Sequence, residues 1–328
     1  MHNEVSRQQV FSLKHQVVRD LAWSLWGPAL LIQPSPHNES AGIFPLDWPW
    51  LQKLDQDPTP LYDYLNTKNT RLLGIRFEAL WHFYFSQHPS ILHSCFNLQV
   101  SEEKITLGEF DVLIQDHNQR FYHIELACKF YLQWSDSVHE NLWIGPNCSD
   151  RLDIKYFKTC NHQLPLLHTR QGQQVFQQAF DNVDNHNSAN NIQQLAIWRG
   201  LAFQTQHWYH YLSSRFNALF HCQPASEQDQ SRWFIADKSY WLSPVVLPVA
   251  FKEAQGEPQA LTTKAIKQRL DAHFNKSELT QLIIKLTFDE THQQWQESAR
   301  YFITAPNWPY GKLADSALTP LRPCRPPL

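Results

Sequence analysis

Acidic and apolar residues alternate in Gly108-Glu109-Phe110-Asp111-Val112-Leu113-Ile114, and again after a polar turn in His123-Ile124-Glu125-Leu126-Ala127-Cys128-Lys129-Phe130. Side chains along a strand point alternately to its two faces. Glu109, Asp111 and Leu113 therefore share one face of a first strand, and His123, Glu125, Ala127 and Lys129 one face of a second. Asp116-His117-Asn118-Gln119 between them is turn-forming, and a hairpin centred near Asn118 sets Asp111 across from Glu125. Facing carboxylates repel one another, so the pair requires an offsetting charge, either a divalent cation or a nearby ammonium such as Lys129. Oxygen donors of this kind suit Mg²⁺ or Mn²⁺ rather than zinc.

The elements around this hairpin must position whatever else takes part. Residues 4 to 25 carry Val10, Leu13, Val17, Leu21 and Leu25 near helical spacing, stopped by Gly27-Pro28. Residues 33 to 60, rich in Pro, Asn, Asp and Ser, read as a long surface loop. A helix is expected over 69 to 87, with Leu73, Phe77, Leu80, Trp81 and Tyr84 on its apolar stripe and Glu78 off it. A strand at 96 to 100 leads into the hairpin. After it come a loop at 141 to 147, in which Trp143 is an aromatic anchor or a base-stacking group, and a helix starting near Asp150, read as its N-cap. That helix carries Lys155, and residues 151 to 170 are net positive.

The Gln- and Asn-rich stretch 171–194 reads as a flexible connection. It divides a first lobe, 1–170, from a β-rich accessory lobe, 195–328. There strands are expected at 195 to 203, 233 to 235, 240 to 242, 282 to 288 and 300 to 304, with a helix at 262 to 274.

A chain of 328 residues with formal net charge -3 is not a strongly basic nucleic-acid-coating protein, although a local basic patch or a bound metal still handles phosphate. Its 6 cysteines include no Cys-x-x-Cys pair and fit a reducing compartment. No apolar run approaches the roughly 20 residues of a membrane span. The expectation is a cytoplasmic protein without membrane association. The 9 glycines form no phosphate-cradling loop, while 13 Trp and 20 Phe call for an aromatic core.

The order of these groups, a helical Glu78, then Gly108-Glu109-Phe110-Asp111, then Ile124-Glu125, resembles the PD-(D/E)XK nuclease superfamily, especially its Holliday-junction-resolvase-like pattern. The chain as a whole is similar to the DUF1853 family. That resemblance runs through Leu73-Gly74-Ile75-Arg76-Phe77-Glu78, Leu107 to Asp111, Glu125-Leu126-Ala127-Cys128-Lys129-Phe130-Tyr131-Leu132 and Trp143-Ile144-Gly145-Pro146-Asn147. The nuclease resemblance implies an α/β fold in the first lobe, a restriction-endonuclease-like mixed sheet flanked by helices, beside the β-rich α+β accessory lobe. It also implies phosphodiester hydrolysis. Asp111, Glu125 and the Leu126 carbonyl would hold Mg²⁺ or Mn²⁺, with Glu78 on a bound water or second ion. Lys129 or Lys155 would orient the attacking water, and Gln163 would place the nucleic-acid backbone. DNA is implied in preference to RNA, and a homodimer as the assembly. One departure stands out: the superfamily places lysine two residues after the glutamate, where this chain has Ala127, its lysine coming at Lys129. Two residues along a strand displace a side chain by roughly 6.6 Å, within reach of a lysine.

Other readings compete. An exposed acidic hairpin face serves solubility, and Lys129 protects an edge strand. Asp153-Ile154-Lys155 spells the nuclease motif but sits in helical context. The histidines lack zinc-ligand spacing, and His123 alone shares the acidic face. The shifted lysine favours a catalytically inactive nuclease-fold module that binds nucleic acid or a protein partner.

Overall fold

In a computed structural model of the chain, residues 5–30, 44–134, 142–181, 192–221, 231–248 and 260–309 are described. The helix expected at 4 to 25 is two helices, α1 (Arg7–Ser12) and α2 (Gln16–Trp26). Ser6 and Gln9 close a capping box on α1, and the chain leaves it extended at Leu13, whose side chain is buried. The stretch expected to be a surface loop contains α3 (Trp48–Gln56) and the start of α4 (Thr59–Asn66), while its residues 33–43 lie outside the described ones. Proline begins these helices instead of breaking them. Pro49 and Pro60 sit in the first turn, where no intrahelical N–H bond is lost. Asp47 caps α3, accepting from the Trp50 N–H at 2.9 Å.

Helix α5 (Leu73–Gln87) buries Phe77, Leu80, Trp81 and Tyr84. It packs on an antiparallel meander of β1 (Ile91–Glu102), β2 (Ile105–Asp116) and β3 (Phe121–Trp134). Next, β4 (Leu142–Ile144) pairs antiparallel with the C-terminal end of β3. There follow α6 (Leu152–Lys158), a π turn (Thr159–Gln163), a 3-10 turn (Leu164–His168) and α7 (Arg170–Ala179). Strand β5 (Ile192–Phe203) then returns parallel to β3, from Phe121↔Ile192 to Leu132↔Phe203.

Two expectations change here. The supposedly flexible stretch 171–194 begins with α7, because Gln is a good helix former, Thr169 caps the Gly172 N–H, and Phe176 packs against Phe121 and Phe180. Residues 182–191 lie outside the described ones. The strand expected to open the accessory lobe belongs to the first sheet. Leu195 and Ile197 enter one core while Ala196 and Trp198 enter another on the opposite face, the two-sided burial of a parallel strand. Gly200 makes the pairing possible. Opposite Lys129 and at φ +120°, it leaves no room for a Cβ, which would overlap the Lys129 carbonyl oxygen.

The second sheet contains β6 (Trp208–His210), β7 (Arg232–Ala236), β8 (Val246–Pro248), β9 (Gln281–Asp289) and β10 (Gln294–Thr304), in order β6-β10-β9-β7 with β8 also on β10. Helices α8 (Ser214–His221) and α9 (Thr263–Phe274) cover it through Phe216, Ile266 and Leu270. The strand expected at 240 to 242 is absent; Lys238–Tyr240 forms a 3-10 turn capped by Asp237, and the Trp241 indole donates to the Ala236 carbonyl at 3.1 Å. One buried cluster unites Val112, Ile124 and Leu195 of the first sheet with Phe234, Leu282, Ile284 and Phe302 of the second. Fully buried Asp20 pins its edge, bonding Arg76 at 2.8 Å and Ser243 at 2.8 Å. The fold is mixed α/β, two sheets flanked by helices. Among the described residues no helix is long and apolar enough to cross a membrane.

Candidate active site

Strands β2 and β3 pair only from Val112↔Ile124 to Gln115↔Phe121 and then part. Across β2, the ladder to β1 skips from Phe96↔Val112 to Leu98↔Phe110, and the intervening Asn97 has φ 53°, a left-handed conformation that Asn tolerates better than most residues. The alternation expected of β2 breaks at this point. Phe110 shares a buried cluster with Leu113 rather than Val112, and its ring meets His123 edge-on at 4.7 Å. Where the main-chain ladder ends, a side chain continues it: Asp111 Oδ2 accepts from the Leu126 N–H at 2.8 Å. The β2–β3 register, carried one residue further, sets Asp111 opposite Glu125.

Glu125 is only 1% exposed. Its Oε1 lies at hydrogen-bond distance from His123 Nε2, 2.9 Å, and its Oε2 accepts from Gln163 Nε2. The π turn delivers Gln163, whose Oε1 in turn accepts from Lys155 Nζ at 2.8 Å and Thr159 Oγ1 at 2.9 Å. The Lys155 ammonium lies 5.9 Å from the Trp198 ring centroid, and Trp198 is the β5 partner of Ala127. Lys155 thus comes in beside the position where the short Ala127 side chain leaves space.

Lys129 is engaged elsewhere, its Nζ 2.5 Å from Asp150 Oδ2. Asp150 is consequently not the helix cap expected of it; Arg151 holds that position without a side-chain cap bond. Trp143 lies in β4, packed against the cluster of Ala127, Tyr131 and Trp198. Glu78, in the N-terminal half of α5, is close enough to couple electrostatically with Asp111 and Glu109.

The electrostatics follow from burial. The Glu125 carboxyl is pushed up to about 8, chiefly by desolvation, against the pull of Lys155. Desolvation and then the Glu125 charge raise Asp111 to about 7, against the Leu126 N–H. Glu78 rises to about 7 through desolvation and repulsion from Asp111 and Glu109. Lys155 moderates all three, while its own desolvation lowers it. Burial drives His123 down to about 3, keeping its ring neutral. His82, stacked on Phe96 at 4.1 Å, is likewise depressed to about 4 by desolvation. Among the described residues, no group of three or more His, Cys, Asp and Glu side chains forms a ready metal-holding arrangement.

The sequence reading brought forward Glu78, Asp111, Glu125, Lys155 and Gln163, and these are drawn together. Lys129 and Trp143 stand at the margin. Sequence reasoning missed Thr159 and Gln194, the latter hydrogen-bonded to His123 Nδ1 at 3.0 Å. Only the β3–β5 register, which pairs His123 with Gln194, reveals the second. A separate cavity of about 420 Å³, bordered by Trp23, Phe203 and Arg300, includes none of these groups.

A mixed α/β protein with a buried carboxylate centre at the parting of two strands is the class these features define. The chain belongs to DUF1853, described as a domain of unknown function, whose match covers residues 19–304. No curated protein and no solved structure matches it.

Proposed function

We propose that this protein is a divalent-cation-dependent phosphodiester hydrolase acting on nucleic acid, DNA in preference to RNA, on a PD-(D/E)XK nuclease-like frame. The observation that carries the reading is the convergence of Glu78, Asp111, Glu125 and Lys155 where β2 and β3 separate. The order α5-β1-β2-β3-β4-α6-α7-β5, with β5 parallel to β3, supports the restriction-endonuclease-like form of the fold.

The donor chemistry fits Mg²⁺ or Mn²⁺. All three acids offer oxygen only, and their pKa values are raised by desolvation first and by mutual repulsion at Asp111 and Glu78, a cost that a bound cation would relieve. Asp111 and Glu125 would hold the ion with Glu78 beside them. When bound, it would supply Lewis-acid stabilisation of phosphoryl charge and acidify a coordinated water. Lys155 balances the acids and orients the nucleophilic water, doing from α6 what a lysine at position 127 would do from β3. Gln163 ties Lys155 to Glu125, so ammonium and carboxylate move as one unit. Cytoplasmic residence and a homodimer accompany the reading.

Two observations favour an inactive binding module instead: Ala127 stands at the usual lysine position, and both Glu125 oxygens are already engaged in hydrogen bonds. Cleavage assays on a panel of single-stranded, duplex and branched DNA and RNA with Mg²⁺ or Mn²⁺ separate the two. Hydrolysis by the wild type that Glu125→Ala abolishes is the expected result. Binding without hydrolysis under every condition would leave the inactive module.

A further inference from the structure

The hydrogen bonds behind Glu125 determine where a proton sits. Gln194 Nε2 lies 2.6 Å from the Leu164 carbonyl oxygen, which can only accept. That contact fixes which end of the amide is the NH₂, and the other end, Oε1, meets His168 Nε2 at 3.0 Å. The second amide hydrogen is directed at His123 Nδ1, 3.0 Å away. A ring nitrogen facing a donor must be the unprotonated one, and a neutral imidazole then carries its hydrogen on the other nitrogen. That nitrogen, Nε2, faces Glu125 Oε1 at 2.9 Å.

We infer that Gln194 is a positioning residue for Glu125, fixing His123 as the Nε2–H tautomer so that the imidazole donates to the Glu125 carboxyl group. Turning the fully buried ring over would set carbon where its nitrogens now meet Gln194 and Glu125, so rotation offers no alternative. The ring turns no lone pair toward the acids, and His123 is therefore neither a metal ligand nor a general base. Glu125 is held instead by two neutral donors, His123 and Gln163, and charge balance is left to Lys155 and an incoming cation. The consequence for metal binding rests on the proposed hydrolase reading; the tautomer does not.

The test begins with wild-type protein labelled with ¹⁵N-histidine, in EDTA at neutral pH, with the His123 signals assigned by their loss in His123→Gln. Long-range ¹H–¹⁵N spectra are expected to show protonated Nε2 and bare Nδ1. A protonated Nδ1 overturns the inference without any variant having to fold at position 194. In Gln194→Glu, whose carboxylate accepts from Nδ1–H, the ring is expected to change its protonation pattern. Mn²⁺ affinity should fall roughly 10- to 100-fold, the usual cost of disturbing a residue behind a ligand. Wild-type affinity in a Gln194→Glu protein whose ring has changed would overturn the positioning role. If wild-type protein binds no Mn²⁺, the hydrolase reading fails while the wild-type spectrum still decides the tautomer.

Discussion

Replacing Glu125 by Gln should make the protein more stable at high pH, because the carboxylate it removes is one the fold resists ionising. The folded-state value of this group is about 8 against an ordinary 4.5. A group raised on folding contributes stability that is complete below its unfolded value and is lost as pH climbs through the folded one. At about 1.4 kcal/mol per pH unit, roughly 3 kcal/mol should be lost between about pH 4.5 and pH 7, approaching about 5 kcal/mol above pH 8. Glu125 is 1% exposed, so solvent screening takes little from that figure. Asp111 and Glu78, both raised to about 7, steepen the wild-type slope in the same direction. Urea unfolding of wild type and Glu125→Gln in EDTA at pH 5, 6, 7 and 8 measures the effect. The two curves should diverge as pH rises, the wild type losing more. Saturating Mg²⁺ should return stability to the wild type at pH 8, by about 2.7 kcal/mol at a hundred times its dissociation constant, and little to the variant. Parallel pH profiles would refute the assignment of Glu125 as a buried, strained carboxylate.

Other consequences are more local. Lys155→Met should reduce hydrolysis roughly 100-fold or more, whereas Lys129→Met, which breaks the contact with Asp150, should change the rate by less than about tenfold; the ordering of the two rates is what decides between the lysines. Gly200→Ala should cost about 4 kcal/mol or more, or prevent folding, since the new Cβ meets the Lys129 carbonyl oxygen; a wild-type melting temperature would contradict the close approach of β5 to β3. If the substrate is held through its phosphates, its binding should weaken steadily as salt rises, which fluorescence anisotropy of a labelled DNA would follow.

The hairpin was legible because its register is local: a polar turn was enough to bring Asp111 to Glu125, although the alternation of β2 breaks at Asp111 itself. Glu78 was legible as a residue off the apolar stripe of its helix. What pattern did not carry was anything decided by long-range pairing. Gln194 lies in a stretch whose composition suggested a flexible connection, and its meeting with His123 depends on a parallel register across some seventy intervening residues. The assignment of 195 to 203 to the accessory lobe failed for a related reason, since a strand buried on both faces gives no clue in its sequence to which sheet it joins. Pro49 and Pro60 misled because proline starts a helix as readily as it ends one. The distortion at Asp111 left only Asn97 as a trace, a residue unremarkable until its backbone angle is known.

The central claim is that Asp111 and Glu125 together form a site for a divalent cation. Calorimetric titration of Mn²⁺ into wild type and Asp111→Asn, each shown folded by circular dichroism, addresses it most directly. The account predicts one saturable site in the wild type at pH 8, weaker at pH 6 where protons compete for the acids, and absent from Asp111→Asn. Equal binding by both proteins, or none by the wild type at either pH, would contradict it.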